Sequence, residues 1–307
     1  MKNPVPSNAA DCVNLVAEEL SSHDLFYGHG TDNPGAEAQW LVISVLTAAG
    51  IEKITGETRV SEQQLASIHA LLKRRIEEKI PMAYLLNEAW FAGECYFVDE
   101  RVLVPRSPLA ELINNRFEPL LNTPPVTILD LCCGSGCIGL ASALAFPGSQ
   151  VMLADISEQA LAVAEINIQR FGLGDRVSTC QSDLFDSIDQ SFDLIIANPP
   201  YVSEAEFQQL PAEYHAEPAL GLVSDQEGLD IPLKILAQSA DHLGAKGSLI
   251  LETGYSWPAL QRALPSLPFM WLEFEYGGEG VCCLTAEQLH NHSALADRKP
   301  GKPKSEK

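Results

Sequence analysis

The residues best suited to chemistry lie in four short clusters, and the most distinctive is Ile196-Ala197-Asn198-Pro199-Pro200-Tyr201. It follows Phe192-Asp193-Leu194-Ile195-Ile196, which reads as a short buried strand. Pro199 and Pro200 donate no backbone N–H, so the strand must stop there. Asn198 is therefore expected just past the carboxyl end of a strand, where open α/β sheets bind their ligands. Its side chain offers a carbonyl acceptor and an NH2 donor. Two prolines stiffen the backbone and Tyr201 supplies a flat apolar wall. Asn198, Pro199, Pro200 and Tyr201 thus suit a small planar group with N–H donors, such as an amide or a base edge. Taken alone, the segment also fits an ordinary exit from a strand into a loop.

A second cluster, Leu129-Asp130-Leu131-Cys132-Cys133-Gly134-Ser135-Gly136-Cys137-Ile138-Gly139, closes one strand and opens a helix. Gly134 and Gly136, flanking Ser135, let the backbone turn tightly and approach a ligand. Asp155 ends the next strand, 21 residues after Gly134, where a carboxylate can accept both hydroxyls of a ribose. This spacing satisfies the dinucleotide fingerprint, so NAD competes with an adenosine cofactor that lacks a pyrophosphate. Asp130 bears on the choice. A carboxylate at the strand's end, pointing to the pocket, would repel a pyrophosphate and attract a cationic amino-acid group. S-adenosylmethionine, with its ammonium and sulfonium, fits better. Asp183 and Leu184, after the third strand, are placed to accept a hydrogen bond from the adenine amino group and to pack on its ring. A solvated loop acid is the plainer reading of Asp183 alone.

Positioning these residues requires alternating strands and helices. Strands are predicted over 126–131, 150–154, 177–180, 192–196 and 248–252, with two more near 270–276 and 280–285. Helices are predicted over 136–145, 157–171 (capped by Ser157 and stopped by Gly172), 229–243 and 257–264. Such alternation implies a mostly parallel sheet covered on both faces. The last two strands, split by Gly277-Gly278-Glu279, should pair antiparallel. Before them, three helices are predicted over 11–20, 37–49 and from Ser61, where Ser61-x-x-Gln64 resembles a capping box. Trp90 to Asp99 and Val102 to Arg106 suggest a hairpin, expected to connect the two parts and to cover the cofactor pocket. The implied boundaries are a helical domain at 1–90, a hairpin connector at 91–107, a catalytic domain at 108–290 and a polar, disordered tail at 291–307.

The formal charge is −21 over 307 residues. Five Lys/Arg and two Asp/Glu in the last 17 residues give a local +3, leaving 15 against 39, or −24, on the other 290. An acidic body is a poor match for nucleic acid, so direct DNA binding is not expected, and a good match for a basic protein partner. It also serves solubility alone. No apolar run nears the ~20 residues of a membrane span, and Met1 to Pro6 holds no signal-peptide core, so a cytoplasmic location is expected. The eight cysteines show no paired Cys-x-x-Cys spacing, so no metal is expected and buried thiols in a reducing compartment explain them.

Gly134-Ser135-Gly136, Asp155, Ser182-Asp183-Leu184-Phe185 and Asn198-Pro199-Pro200-Tyr201 together resemble the class I S-adenosylmethionine methyltransferases. Pro81-x-x-Tyr84-Leu85, Trp90-Phe91-Ala92-Gly93, Val102-Leu103-Val104-Pro105-Arg106 and Glu217-Pro218-Ala219-Leu220 are similar to the protein-glutamine N5-methyltransferases, over roughly residues 70–290. Release-factor enzymes of that family typically read Pro-Arg-Pro-Glu-Thr-Glu in the connector. This chain reads Pro105-Arg106-Ser107-Pro108-Leu109-Ala110-Glu111, resembling the branch that methylates large-subunit ribosomal protein L-three. The resemblance implies a Rossmann-like, mostly parallel seven-stranded sheet with an antiparallel last strand, and a helical domain that helps recognise the protein substrate. It implies S-adenosylmethionine as cofactor, held by Asp130, Gly134, Ser135, Gly136, Asp155, Asp183, Leu184 and Asn198. Asn198, Pro199 and Tyr201 are then catalytic, with Pro200 also against the substrate. The alternatives are methylation of release factors, adenine-N6 DNA methylation on a flipped base, NAD-dependent oxidoreduction and a non-catalytic adaptor that binds the ribosomal protein.

Overall fold

The computed structural model describes residues 6–292. The tail expected to be disordered therefore lies outside the described residues from position 293 onward. The first element is a helical unit: α1 (Ala9–Ser21), α2 (Pro34–Ala48), α3 (Glu62–Glu77) and the short α4 (Met82–Leu86). Asn8, Asn33 and Ser61 cap the first three through side-chain acceptors, and the Ser61–Gln64 capping box forms. Leu41, Val42 and Leu46 of α2 pack with Cys12, Val16 and Leu20 of α1 and Ile68 and Leu72 of α3 in a core of their own.

The hairpin closes earlier than the sequence suggests. β1 (Ala89–Phe91) pairs with β2 (Glu94–Tyr96), not with residues 102–106. Ala92 and Gly93 both take positive φ, 49° and 87°, which permits a two-residue turn inside what reads as one strand. Val102 and Val104 instead bury their side chains against Val98, Tyr84 and α7 (Glu158–Phe171) without pairing. α5 (Leu109–Asn114) follows.

A seven-stranded sheet then builds around β3 (Thr127–Leu131). β4 (Gln150–Asp155) and β5 (Val177–Gln181) lie to one side of it. To the other side come β6 (Phe192–Ala197), β7 (Leu243–Glu252), β9 (Val281–Thr285) and the edge strand β8 (Met270–Trp271). The first five pair in parallel and β9 is antiparallel to both neighbours, as the sequence pattern predicts. α6 (Cys137–Ala145) and α7 pack on one face with α5. α8 (Glu204–Phe207) and α9 (Asp225–Gly228) lie in the segment after β6. α10 (Asp230–Ser239), α11 (Trp257–Ala263) and α12 (Ala286–His290) cover the other face. The chain runs outward from β3 to β5 and then crosses back to β6, so the ligand crevice opens at the carboxyl ends of β3 and β6.

The helical unit is bound to the sheet-containing half by a buried ionic cluster. Arg75 of α3, 1% exposed, donates to Glu37 of α2 (2.6 Å), to Glu213 in the segment after β6 (3.0 Å) and to the Phe26 carbonyl (2.8 Å). Burial raises the Glu37 carboxyl despite Arg75, while hydrogen bonds from Phe26 and Arg75 bring Glu213 below its ordinary value against its own burial. Arg75→Ala should cost about 3–5 kcal/mol in urea unfolding, because two buried carboxylates would lose their shared cation. A loss below 1 kcal/mol would show that water reaches the cluster.

Candidate active site

Parallel pairing of β3 with β6 registers Leu131 against Ala197, so the glycine loop and Asn198 leave the sheet side by side. Cys132, a non-glycine at φ 61°, starts the loop. Gly134 (φ 55°) has open space where a Cβ would sit, while a Cβ on Gly136 (φ 76°) would come 2.8 Å from Leu153. The first position faces the crevice and the second packs the loop onto the sheet.

Strand alternation puts Asp130 on the same face as Ile128, beneath α6. It is fully enclosed rather than open to the crevice. Its Oδ2 accepts the Gly139 N–H (2.7 Å) and its Oδ1 is buried without a partner. Burial pushes this carboxyl up to about 7, the Gly139 bond opposing and Asp155 adding to the rise. Asp155 accepts the Gly134 N–H on Oδ2 and the Ser157 N–H on Oδ1, both at 2.9 Å. Its carboxyl is raised by burial, which outweighs those backbone donors. The two acids thus pin the glycine loop from below and from the side.

Ser135 is buried and its carbonyl accepts from Asn167 of α7 (3.0 Å). Asn167 also exchanges hydrogen bonds with the Phe97 backbone, at 2.7 and 3.0 Å. One side chain therefore fastens the connector to the glycine loop. Asp183 is exposed in a turn, and Leu184 (φ 49°) buries its side chain with Leu129, Leu131 and Ala154.

Asn198 is half-buried, and its amide has no hydrogen-bond partner among the described residues. Pro199 is buried and Pro200 half-buried. Tyr201 is held at three points. Its phenol donates to Glu252 Oε1 (3.3 Å), its carbonyl accepts from Ser256 (2.8 Å), and its ring edge lies 2.6 Å from where a Gly254 Cβ would stand. Burial raises the phenol well above its ordinary value.

The segment after Tyr201 is clamped by residues that sequence reasoning quoted without a role. Arg106 forms a bidentate pair with Glu217 at 2.6 and 2.7 Å, and the same carboxylate accepts the Val104 N–H (2.9 Å). His29 Nε2 lies 3.5 Å from it. Burial alone would raise Glu217, but His29 and Arg106 bring it down to about 2. Glu252 was seen only as the end of a strand. Its signal is the one that marks Asp155: an acid closing an apolar parallel strand at the crevice end.

Residues 113–214 match the family described as Methyltransferase small domain. Among solved structures, the hMettl16 catalytic domain in complex with a 3'UTR hairpin shares the fold, with a TM-score of 0.50 and 14% identity over 80% of this chain and 90% of that one. With this sheet order, the fold is that of a class I methyltransferase. The chain is 40% identical over 284 residues to the ribosomal protein uL3 glutamine methyltransferase of Francisella tularensis subsp. tularensis, covering 91% of this chain and 90% of that one. It is 38% identical over 283 residues to the protein of the same name from Neisseria meningitidis serogroup B, covering 91% and 93%. It belongs to the family of ribosomal protein uL3 glutamine methyltransferases.

The depressed Glu217 carboxyl stabilises the fold above its unfolded pKa, and that contribution is lost as pH falls toward about 2. Glu217→Gln should therefore be about 3 kcal/mol less stable than wild type at pH 7. In urea melts the gap should narrow between pH 4.5 and pH 3. A gap independent of pH would mean that the charge of Glu217 is not what Arg106 holds.

Proposed function

We infer that this chain transfers a methyl group from S-adenosylmethionine to the side-chain amide nitrogen of a glutamine in ribosomal protein uL3. The observation that carries this reading is the match, across nine-tenths of both chains, to glutamine methyltransferases named for that substrate. The same relatives weigh against release factors, DNA and oxidoreduction. The −24 body suits a basic protein acceptor and disfavours DNA. Among the described residues no helix is long and apolar enough to cross a membrane. A ribosomal-protein substrate argues for work in the cytoplasm.

The residues present fit the cofactor. Gly134 leaves room for a ligand against the loop, and each Asp155 oxygen, having accepted one N–H, keeps capacity for a ribose hydroxyl. Asp130, enclosed beneath α6, acts on the site from behind, through the Gly139 N–H that it accepts, rather than by touching the cofactor. Ser135 and Gly136 shape the loop, Asp183 is free to meet the adenine amino group, and Leu184 supports that wall from the core. Bound there, S-adenosylmethionine supplies an electrophilic methyl group whose sulfonium leaves as a neutral thioether.

A glutamine nitrogen is a weak nucleophile because its lone pair is shared with the carbonyl. Orientation is the help this chain offers. The free Asn198 carbonyl oxygen and the Pro199 carbonyl each accept one amide N–H. This aims the nitrogen's face and shifts electron density toward it. Pro200 keeps the two acceptors in place, and Tyr201 stacks against the planar amide. Fixed acceptors also stabilise the positive charge that develops on nitrogen, and the methylated amide becomes neutral by giving one N–H proton to solvent.

Two experiments test this. Tritiated S-adenosylmethionine offered with uL3, a release factor or duplex DNA should label uL3, and the label should vanish when the target glutamine is replaced by alanine. Asn198→Ala should cut that turnover by about a hundredfold or more with cofactor affinity retained. Near-normal turnover in this variant would sink the amide clamp. In calorimetric titration, Asp155→Ala should weaken cofactor binding by about ten- to a hundredfold, through lost charge-assisted hydrogen bonds. Unchanged affinity would remove Asp155 from the ribose site.

A further inference from the structure

Among the described residues, Glu252 is a buried acid at the crevice end of the sheet to which neither the glycine loop nor the two amide acceptors give a task. It closes β7, and since Ala197 pairs with Leu251, it stands beside Asn198 at the sheet's carboxyl edge. It is 4% exposed. Oε1 accepts the Tyr201 phenol at 3.3 Å and Oε2 accepts the Ser107 hydroxyl at 2.5 Å. Ser107 Oγ in turn accepts the Leu109 N–H (3.1 Å), fixing the start of α5. One carboxyl therefore joins three separate segments: the end of β7, the Asn-Pro-Pro-Tyr loop and the connector.

We propose that Glu252 is a positioning residue for methyl transfer, locking the Tyr201 ring through its phenol while Ser107 holds the carboxyl from the other side. The inference rests on the amide-transfer reading above and adds a residue to it. Two hydroxyls donate to two different oxygens. An ionised carboxylate meets both as an acceptor. A protonated acid or a glutamine has one oxygen left to accept with and must turn a donor toward one of the hydroxyls. Burying a carboxylate without a direct cation is costly, so a group kept here for packing alone would be better apolar. The remaining two holds on Tyr201 are the Ser256 bond, which fixes the backbone, and Gly254, which packs against the ring at its phenol end. Packing limits where the ring can lie but gives the hydroxyl no acceptor. Glu252 supplies the acceptor.

The charged neighbour facing Glu252 is Arg106 on the connector, Tyr201 is the titratable group on the loop side, and β9 presents Val281 opposite it. Burial pushes the carboxyl up to about 7, against the hydrogen bonds from Ser107 and Tyr201 and the charge of Arg106. Tyr201 positioning is thereby lost as pH falls through that value. The kcat profile should carry an acid limb near 7 that belongs to Glu252.

The test is a double-mutant cycle of Glu252→Gln and Tyr201→Phe, run on whichever of uL3, release factor or DNA the wild type labels. Label in the release factor would thus overturn the substrate reading and leave the cycle intact. Glu252→Gln should lower kcat by about tenfold or more, with the acceptor KM and the cofactor Kd little changed, and should flatten the acid limb. In the Tyr201→Phe background the same change should cost less than half as much on a logarithmic scale, because its partner is already gone. Fully additive losses, or an acid limb left unchanged in Glu252→Gln, would overturn the proposal. If Glu252→Gln fails to fold, Ser107→Ala serves in its place. Loss of a donor to the ionised form should move the limb to higher pH, and an unmoved limb would also overturn the proposal.

Discussion

Everything at the crevice depends on the parallel pairing of β3 with β6. Leu131 lies opposite Ala197, and the next residue of each strand leaves the sheet. The strand order places the outward run to β5 and the return to β6 on opposite sides of this pair, so no crossover helix fills the gap above it. A slip of one residue would turn each strand's buried set to the wrong face. Ile128 and Leu194 pack under α6 while Leu129 and Ile195 pack toward α10, and those two cores hold the register. The distance between the glycine loop and Asn198 is thus set by strand packing, not by the loops.

Acids then gather where the strands end: Asp155 and Glu252 close β4 and β7, and Asp130 is the last residue but one of β3. Burial raises all three carboxyls. Each is tolerated because it takes hydrogen bonds from groups that need an acceptor: Gly139, the Gly134 and Ser157 amides, and two hydroxyls. Glu217 is the contrast. It is as deeply buried but faces Arg106 and His29, and its carboxyl falls instead of rising. Neutral donors hold the three strand-end acids, whereas the Arg106 guanidinium holds Glu217 directly.

How much of this could be read from the sequence follows the range of each interaction. Strand ends, the glycine turn, the Ser61 and Ser157 caps and the reversed β9 rest on neighbours a few residues apart, and periodicity and turn chemistry expose them. The Ala92-Gly93 turn shows the limit, since a tight turn inside an aromatic run leaves too little contrast to see. The buried ion pairs were invisible for another reason. Arg75 meets Glu37 and Glu213 at separations of 38 and 138 residues, and Arg106 meets Glu217 at 111. Nothing in the local pattern of an arginine on an otherwise charged helix says that it turns inward. Asp130 stood out in the sequence as an acid near a strand's end, but its orientation did not, because the α6 face of β3 decides it.

The two ties made by Arg106 and Ser107 give the connector its significance. These neighbours grip different ends of one segment: Ser107, through Glu252, reaches Tyr201 at its start, and Arg106 reaches Glu217 farther on. Between those points Glu213 is held by Arg75 from the helical unit. The segment that follows Tyr201 is therefore fastened by the connector at both ends and by the helices in the middle. A protein acceptor that docks on the helical unit would press on the same segment that we propose orients its glutamine. With little acid–base power to draw on, an enzyme that works by alignment gains from such an arrangement. Binding energy collected far from the reacting nitrogen can be spent on holding the segment in its transfer geometry.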